Sequence, residues 1–216
     1  MGSSFSSLAF RQRKPRFSVV LPSYPGPAVL EVIDPDQFGA VPKSSTVQAL
    51  ISMIHQLAQA TDGSGAAVRL VLFDYRKAFD LIDHTLLVQK IYRQAIPRGI
   101  ARWVSDFLMN RQQRVKFSRY CFSEWGHVPA GVPQGTKLGP CLFLLMINNP
   151  KVSDVRSWKY VDDTSVAEVV PSRSCSQAQC AADEVQSWSL DHKFQINADK
   201  CKEMVVNLKK NKARYR

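Results

Sequence analysis

Two aspartates stand side by side in Lys159-Tyr160-Val161-Asp162-Asp163-Thr164, behind an aromatic–aliphatic pair and ahead of β-branched residues. Adjacent carboxylates repel each other, so they are rarely placed together for stability alone. They become favourable where a divalent cation neutralises them. A third carboxylate, Asp74, ends the apolar run Val68-Arg69-Leu70-Val71-Leu72-Phe73. One Asp at a strand end and an Asp pair in a distant hairpin suit two-metal phosphoryl transfer. The simpler reading of Asp162 and Asp163 is a structural turn, in which Asp is common. Two Asp directly behind apolar residues at a strand end fit that reading poorly. Asp74 could serve as a helix cap, but Asp80 and Asp83 suit that role better, because His84-Thr85-Leu86-Leu87 follows them.

The other polar groups carry weaker signals. Gly131-Val132-Pro133-Gln134-Gly135 places turn residues on both sides of an amide. It reads either as a plain loop or as a flexible one whose Gln and backbone approach a nucleotide or template base. His55, His84, His127 and His192 are scattered and read as structural or surface residues. The five cysteines are odd in number and form no CxxC, which argues against a zinc site or a disulfide framework and for free thiols.

The elements that must position the carboxylates follow from periodicity. Ser44-Ser45-Thr46 can cap a helix in which Val47, Leu50, Ile51, Ile54, Leu57 and Ala58 recur at helical spacing. Val68 to Phe73 reads as a buried strand. After Asp74 the pattern turns helical through Leu86, Leu87 and Ile91, and Pro97 opens another helix. Gln113 to Phe117 and Ser123 to Val128 could pair as strands, and Leu142 to Ile147 suits a buried helix. Trp158 to Val170 reads as a hairpin with the Asp pair at its tip. A helix from Gln177 to Trp188 and a strand from Cys201 to Leu208 follow. Strands alternating with helices predict an α/β or α+β sheet protein, and the strand–helix–hairpin order suggests a ferredoxin-like split βαβ unit. In such a unit the first strand and the hairpin are neighbours, which would bring Asp74 to Asp162 and Asp163.

With 29 Lys plus Arg against 18 Asp plus Glu, the net charge of +11 favours a polyanionic partner, nucleic acid or an acidic membrane surface. No apolar run reaches the ~18–20 residues of a membrane helix. Residues 1–35 contain Pro15, Pro22, Pro25, Pro27 and Pro35 and read as an irregular basic leader. Met1-Gly2-Ser3-Ser4-Phe5-Ser6 fits a myristoylation pattern only loosely, and the lack of acidic residues before Glu31 gives an equally loose transit-peptide character. Residues 209–216 form a basic tail.

Phe73-Asp74-Tyr75-Arg76-Lys77-Ala78-Phe79-Asp80, then Gly131-Val132-Pro133-Gln134-Gly135-Thr136-Lys137-Leu138-Gly139-Pro140, then Tyr160-Val161-Asp162-Asp163 occur in that order. Together they resemble the reverse transcriptase domain of non-LTR retrotransposons, from about Ile33 to about Leu208. Asp36-Gln37-Phe38-Gly39 through Ser44-Ser45-Thr46 is similar to the family's lead-in from fingers to palm. The resemblance implies an α+β fold, the palm of a right-hand polymerase with a ferredoxin-like core and partial fingers, over 36–208. It implies an RNA-directed DNA polymerase, a nucleotidyltransferase that takes an RNA template, a DNA primer and dNTPs. Its cofactor would be two Mg²⁺ ions, with Mn²⁺ as a substitute, held by Asp74, the Tyr75 carbonyl, Asp162 and Asp163. Phe79 would close the pocket under the sugar and exclude a ribose hydroxyl, although its position suits a core residue equally. Gln134 and Gly135 would meet the nucleotide or template base. Lys200, in Gln195-Ile196-Asn197-Ala198-Asp199-Lys200, would be a general acid for pyrophosphate or a surface lysine.

The chain departs from the family pattern before residue 31, where no Arg-Pro-Ile-Ser type sequence is found, and it ends soon after Lys200. The expectation is therefore a polymerase without its thumb, acting inside the cell and, by the resemblance, in the nucleus. The alternative is a catalytically silent remnant that binds nucleic acid through its charge.

Overall fold

The computed structural model describes residues 9–12, 32–62, 66–136, 138–148, 152 and 155–207. The apolar run ahead of Asp74 forms strand β2 (Ala67–Phe73). Its neighbours are antiparallel on both edges. Strand β6 (Asp163–Val170) pairs from Ala67↔Val170 to Phe73↔Thr164, and strand β7 (Lys202–Val206) pairs from Val68↔Val206 to Leu72↔Lys202. Strand β5 (Arg156–Tyr160) closes the hairpin with β6, so the sheet order is β5-β6-β2-β7.

Alternation along β2 sends its side chains to two faces. Val68 and Leu70 join Trp158 and Ala167 under helix α1 (Thr46–Thr61), whose Met53, Leu57 and Ala60 cover them. Phe73 and Val166 face the other way, onto Ala181 and Val185 of helix α5 (Ala178–Asp191). Ser45 caps α1 by accepting from the Gln48 N–H at 3.2 Å. Helix α1 carries no Asp, Glu, Lys or Arg. Its periodicity therefore fixes the helix without fixing its buried face. Val47, Leu50, Ile51 and Ile54 lie exposed.

A second core lies beyond the sheet. Helices α2 (His84–Arg93) and α3 (Arg98–Leu108) pack with helix α4 (Leu138–Ile147), along with Tyr75, Ala78 and Phe194. The sequence of α4 is apolar on every side, as a fully enclosed helix requires, and Cys141 to Ile147 are all buried. Asp83 caps α2, accepting from Leu86 N–H at 2.9 Å.

Three expectations change. The segment directly after Asp74 is not helical. Residues 76–80 are turns, and α2 starts only at His84, behind its Asp83 cap. The returning strand near Ser123 to Val128 shrinks to β4 (Gly126–His127), because the Ser123 hydroxyl takes the Val115 N–H and interrupts the ladder with β3 (Gln112–Lys116). Within the leader, read as irregular, Ala9–Gln12 form a strand, β1, which pairs antiparallel with β3. Residues 1–8 and 13–31 of the leader, the end of the predicted last strand at Leu208 and the basic tail lie outside the described residues.

Candidate active site

The β2–β6 register decides the geometry. Phe73 pairs with Thr164, so Asp74 leaves the end of β2 beside Asp163, the first residue of β6. Asp163 is held above the usual carboxylate range, first by burial and then by the negative charges of Asp162 and Asp74, with Lys200 opposing. Asp74 has one buried carboxylate oxygen, Oδ1, with no hydrogen-bond partner, while its Oδ2 lies 3.6 Å from Lys200 Nζ. Chain segments far apart in sequence thus bring Asp74, Asp162, Asp163 and Lys200 together.

Lys200 is placed by a short antiparallel contact. Arg76 N–H donates to Gln195 O and Asn197 N–H donates to Asp74 O, each at 2.8 Å. Neither bond uses the Tyr75 carbonyl. The Tyr75 ring is buried against Phe194, with centroids 5.4 Å apart. Its hydroxyl lies near Ser189 and Thr164 without a well-formed hydrogen bond, and burial pushes it up. Beside this contact an open hollow of about 640 Å³ is walled by Tyr75, Arg76, Lys77, Leu81, Asn197 and Lys200, among others.

The turn between β5 and β6 consists of Val161 and Asp162. Val161 has φ +60, a left-handed value unusual for a β-branched residue. Gln37 holds it. The buried Gln37 Oε1 accepts from Val161 N–H at 3.0 Å and from Gly39 N–H at 2.8 Å. Gly39 sits so close that a Cβ there would meet Val161 N at 2.4 Å. Phe38 N–H donates to Lys159 O, and Lys159 N–H to Asp36 O. The Lys159 side chain is buried in an ion pair with Asp34. Gln37, Lys159 and Asp34 have no role in the sequence reading. The available signal was Lys159, a lysine on an inward-facing strand between Trp158 and Tyr160. Arg76 and Lys77, which wall the hollow, were signalled only by following Asp74 directly.

Phe79 and Gln134 belong to a second group, on the segment after Asp74 and the loop that contacts it. The Phe79 ring stacks on Phe143 of α4 at 4.2 Å. Val132 N–H donates to Phe79 O, and Gln134 Nε2 donates to Asp80 Oδ1 at 2.8 Å. Gly131 (φ +85) packs on Asp80, where a Cβ would lie 2.7 Å from Asp80 O. Gly135 (φ +76) needs its glycine for the backbone angle alone. His84 is structural, as read, with Nε2 bonded to Gly131 O at 2.7 Å. All five cysteines are free thiols.

A family model described as reverse transcriptase (RNA-dependent DNA polymerase) matches residues 21–215. The chain belongs to the reverse transcriptase family. Two curated relatives in Drosophila melanogaster, the RNA-directed DNA polymerase from mobile element jockey and the probable RNA-directed DNA polymerase from transposon X-element, are each 30% identical. The matches cover 80% and 81% of this reverse transcriptase chain and 20% of each relative, so the chain spans about a fifth of their length. Among solved structures, apo telomerase from Candida tropicalis, truncated from its C-terminal domain, matches with a TM-score of 0.59 at 14% identity. That match covers 82% of this chain and 37% of the telomerase chain and establishes a shared fold.

Reverse transcriptases as a family use divalent metal ions. Among the described residues no group of three or more His, Cys, Asp or Glu side chains is arranged to hold a metal ion. The carboxylate group nevertheless suits a cation. An orphaned buried oxygen on Asp74 and a carboxylate on Asp163 pushed up by burial and by two negative neighbours are both relieved by positive charge.

Proposed function

We propose that this chain is the fingers–palm part of an RNA-directed DNA polymerase, which joins dNTPs to the 3′-hydroxyl of a DNA primer on an RNA template. The observation that carries it is the Phe73↔Thr164 register, which sets Asp74 beside Asp163. The unit is assigned to 36–208, within the family match to 21–215, with the preceding segment contributing β1. The reading takes the four-stranded sheet as the palm.

Asp74, Asp162 and Asp163, with the Tyr75 carbonyl, would hold two Mg²⁺ ions, or Mn²⁺ in their place. When bound, such ions lower the pKa of a primer hydroxyl and neutralise triphosphate charge. The chain's own groups orient and select. Arg76, Lys77 and Lys200 line the hollow beside the carboxylates, where their charges would steady a polyphosphate. Lys200, ion-paired with Asp74, would donate a proton to the departing pyrophosphate. Phe79, fixed by its stack on Phe143, would form a rigid wall against a ribose hydroxyl. Gln134 and Gly135 would meet the incoming nucleotide or template base, with Gln134 oriented by Asp80.

A second reading, a silent remnant that binds nucleic acid, draws support from the lack of a three-group metal-holding arrangement among the described residues. One experiment separates the two. Purified protein is given an RNA template, annealed DNA primer and dNTPs, with Mg²⁺ and with Mn²⁺, beside an Asp162→Asn/Asp163→Asn double variant. Extension by the wild type and none by the variant supports the polymerase. A folded wild type that binds the duplex without extending it supports the remnant.

A further inference from the structure

The hairpin of β3 and β4 has no part in the site described above, yet it concentrates cations and exposed rings. Residues 111–127 contain Arg111, Arg114, Lys116 and Arg119 against the single carboxylate of Glu124. Among the described residues, none of these four cations joins an ion pair. Arg111 is buried at the base of the hairpin, with Nε and Nη1 lacking hydrogen-bond partners.

The aromatic groups divide into two sets. Phe122 and Trp125 hold the Arg114 guanidinium, which sits 4.0 Å and 4.7 Å from their ring centroids, and its Nε has no partner. Phe117 and Tyr120, in the tight turn closed by Phe117 N–H to Cys121 O, are the two most exposed aromatic side chains among the described residues, at 66% and 84%. Their neighbours are Ser118, Arg119 and Cys121, so they do not form the apolar floor that protein interfaces place around an aromatic anchor. Exposed rings interleaved with cations that join no ion pair, Arg119 itself 5.5 Å from the Tyr120 ring centroid, match the demands of unpaired nucleotides, whose bases stack and whose phosphates need positive charge.

We propose that the β3–β4 hairpin is a contact site for single-stranded nucleic acid, with Phe117 and Tyr120 stacking on bases while Arg114, Lys116 and Arg119 hold phosphates. The hairpin returns through Val128, bonded to Arg111 O, and Ala130, bridged to Asp83, into the loop that touches Asp80. A strand held here would run beside that loop. RNA and DNA share the chemistry. The binding does not rest on the polymerase reading, since it requires neither metal nor dNTP.

The test is fluorescence anisotropy on the whole chain, without divalent metal, using labelled single-stranded RNA and DNA of about 15 nucleotides and a blunt duplex. Phe117→Ala/Tyr120→Ala should weaken single-strand binding about tenfold or more and leave the blunt duplex within twofold. Arg119→Gln should reduce the slope of log affinity against log salt by ~0.7. These side chains are exposed, so the thermal midpoint should not move. Loss on both RNA and DNA, or on one alone, supports the site and names its strand. Single-strand affinity within twofold of wild type in the double variant, or an equal loss on blunt duplex, overturns it. So does a variant that keeps oligonucleotide binding and loses a protein partner instead. A chain that binds through the hairpin but fails to extend a primer leaves this proposal standing and removes only the polymerase reading.

Discussion

Replacing Gln37 with Ala should disable the Asp162–Asp163 turn from a distance. Gln37 Oε1 is the acceptor for two backbone N–H groups, those of Gly39 and Val161, and the side chain is 6% exposed. An unsatisfied buried donor costs ~1–3 kcal/mol. The left-handed conformation of Val161 costs ~1–2 kcal/mol in the wild type, which the clamp offsets, so its release in the variant lowers the loss. Partial hydration of the freed groups lowers it further, giving an expected loss of about 2–4 kcal/mol in urea unfolding. Below its unfolding transition, the variant should extend primers about 100-fold more slowly, the effect of a displacement of about 1 Å at a reacting centre. Nucleic-acid affinity should hold. The clamp and the strain are one device, so Val161→Gly, which accepts φ +60 freely, relieves strain only while the clamp holds and should cost less stability in the wild type than in the Gln37→Ala background. A double-mutant cycle should give a coupling of at least about 0.5 kcal/mol. Additive single effects, or wild-type stability for Gln37→Ala, would refute the reasoning.

Lys159→Ala should cost about 3–5 kcal/mol, because it leaves Asp34 buried without its counter-charge, and Lys159→Met/Asp34→Leu should recover most of that loss in the same unfolding assay. Lys90, whose Nζ donates to Met146 O, is lowered by burial from 10.5 to about 8. The unfolded chain therefore binds more protons than the folded one above about pH 8, and stability should rise with pH from there. The Cys141 thiol, pushed by burial from 9.0 to about 11, acts in the opposite sense above pH 9, so the clean window is pH 8 to 9. Lys90→Met should flatten the rise, and a flat wild-type profile would contradict the assignment. Phe79→Val should reduce discrimination against ribonucleotides by about 10- to 100-fold if the ring is the sugar wall. Lower stability with unchanged discrimination would make Phe79 purely a core residue stacked on Phe143.

Period and punctuation carried much of the fold. Val68 to Phe73 alternates into two cores, α4 has no polar face to expose, and Ser45, Asp83 and Pro97 mark helix starts at their chemically expected places. The signals failed where two outcomes share one pattern. Helix α1, without a charge on either side, could not show which apolar stripe is buried, and the stripe read from spacing is mostly the exposed one. The Ser123 hydroxyl ended a ladder that propensity would have continued. At the site, the carboxylates were legible because an Asp pair is chemically costly, and such a pair stands out in a sequence. Their supports were not, because a glutamine does not announce what it accepts. Gln37 stabilises the hairpin turn from one remote segment, and the contact through Gln195 and Asn197 brings Lys200 to Asp74 from another. Both depend on backbone atoms whose placement only the folded chain decides. Disrupting either support should therefore impair the same carboxylate group. Asn197→Pro would remove the N–H that bonds Asp74 O and should separate Lys200 from Asp74 while leaving the β2–β6 register intact, so its loss of extension should exceed its loss of stability.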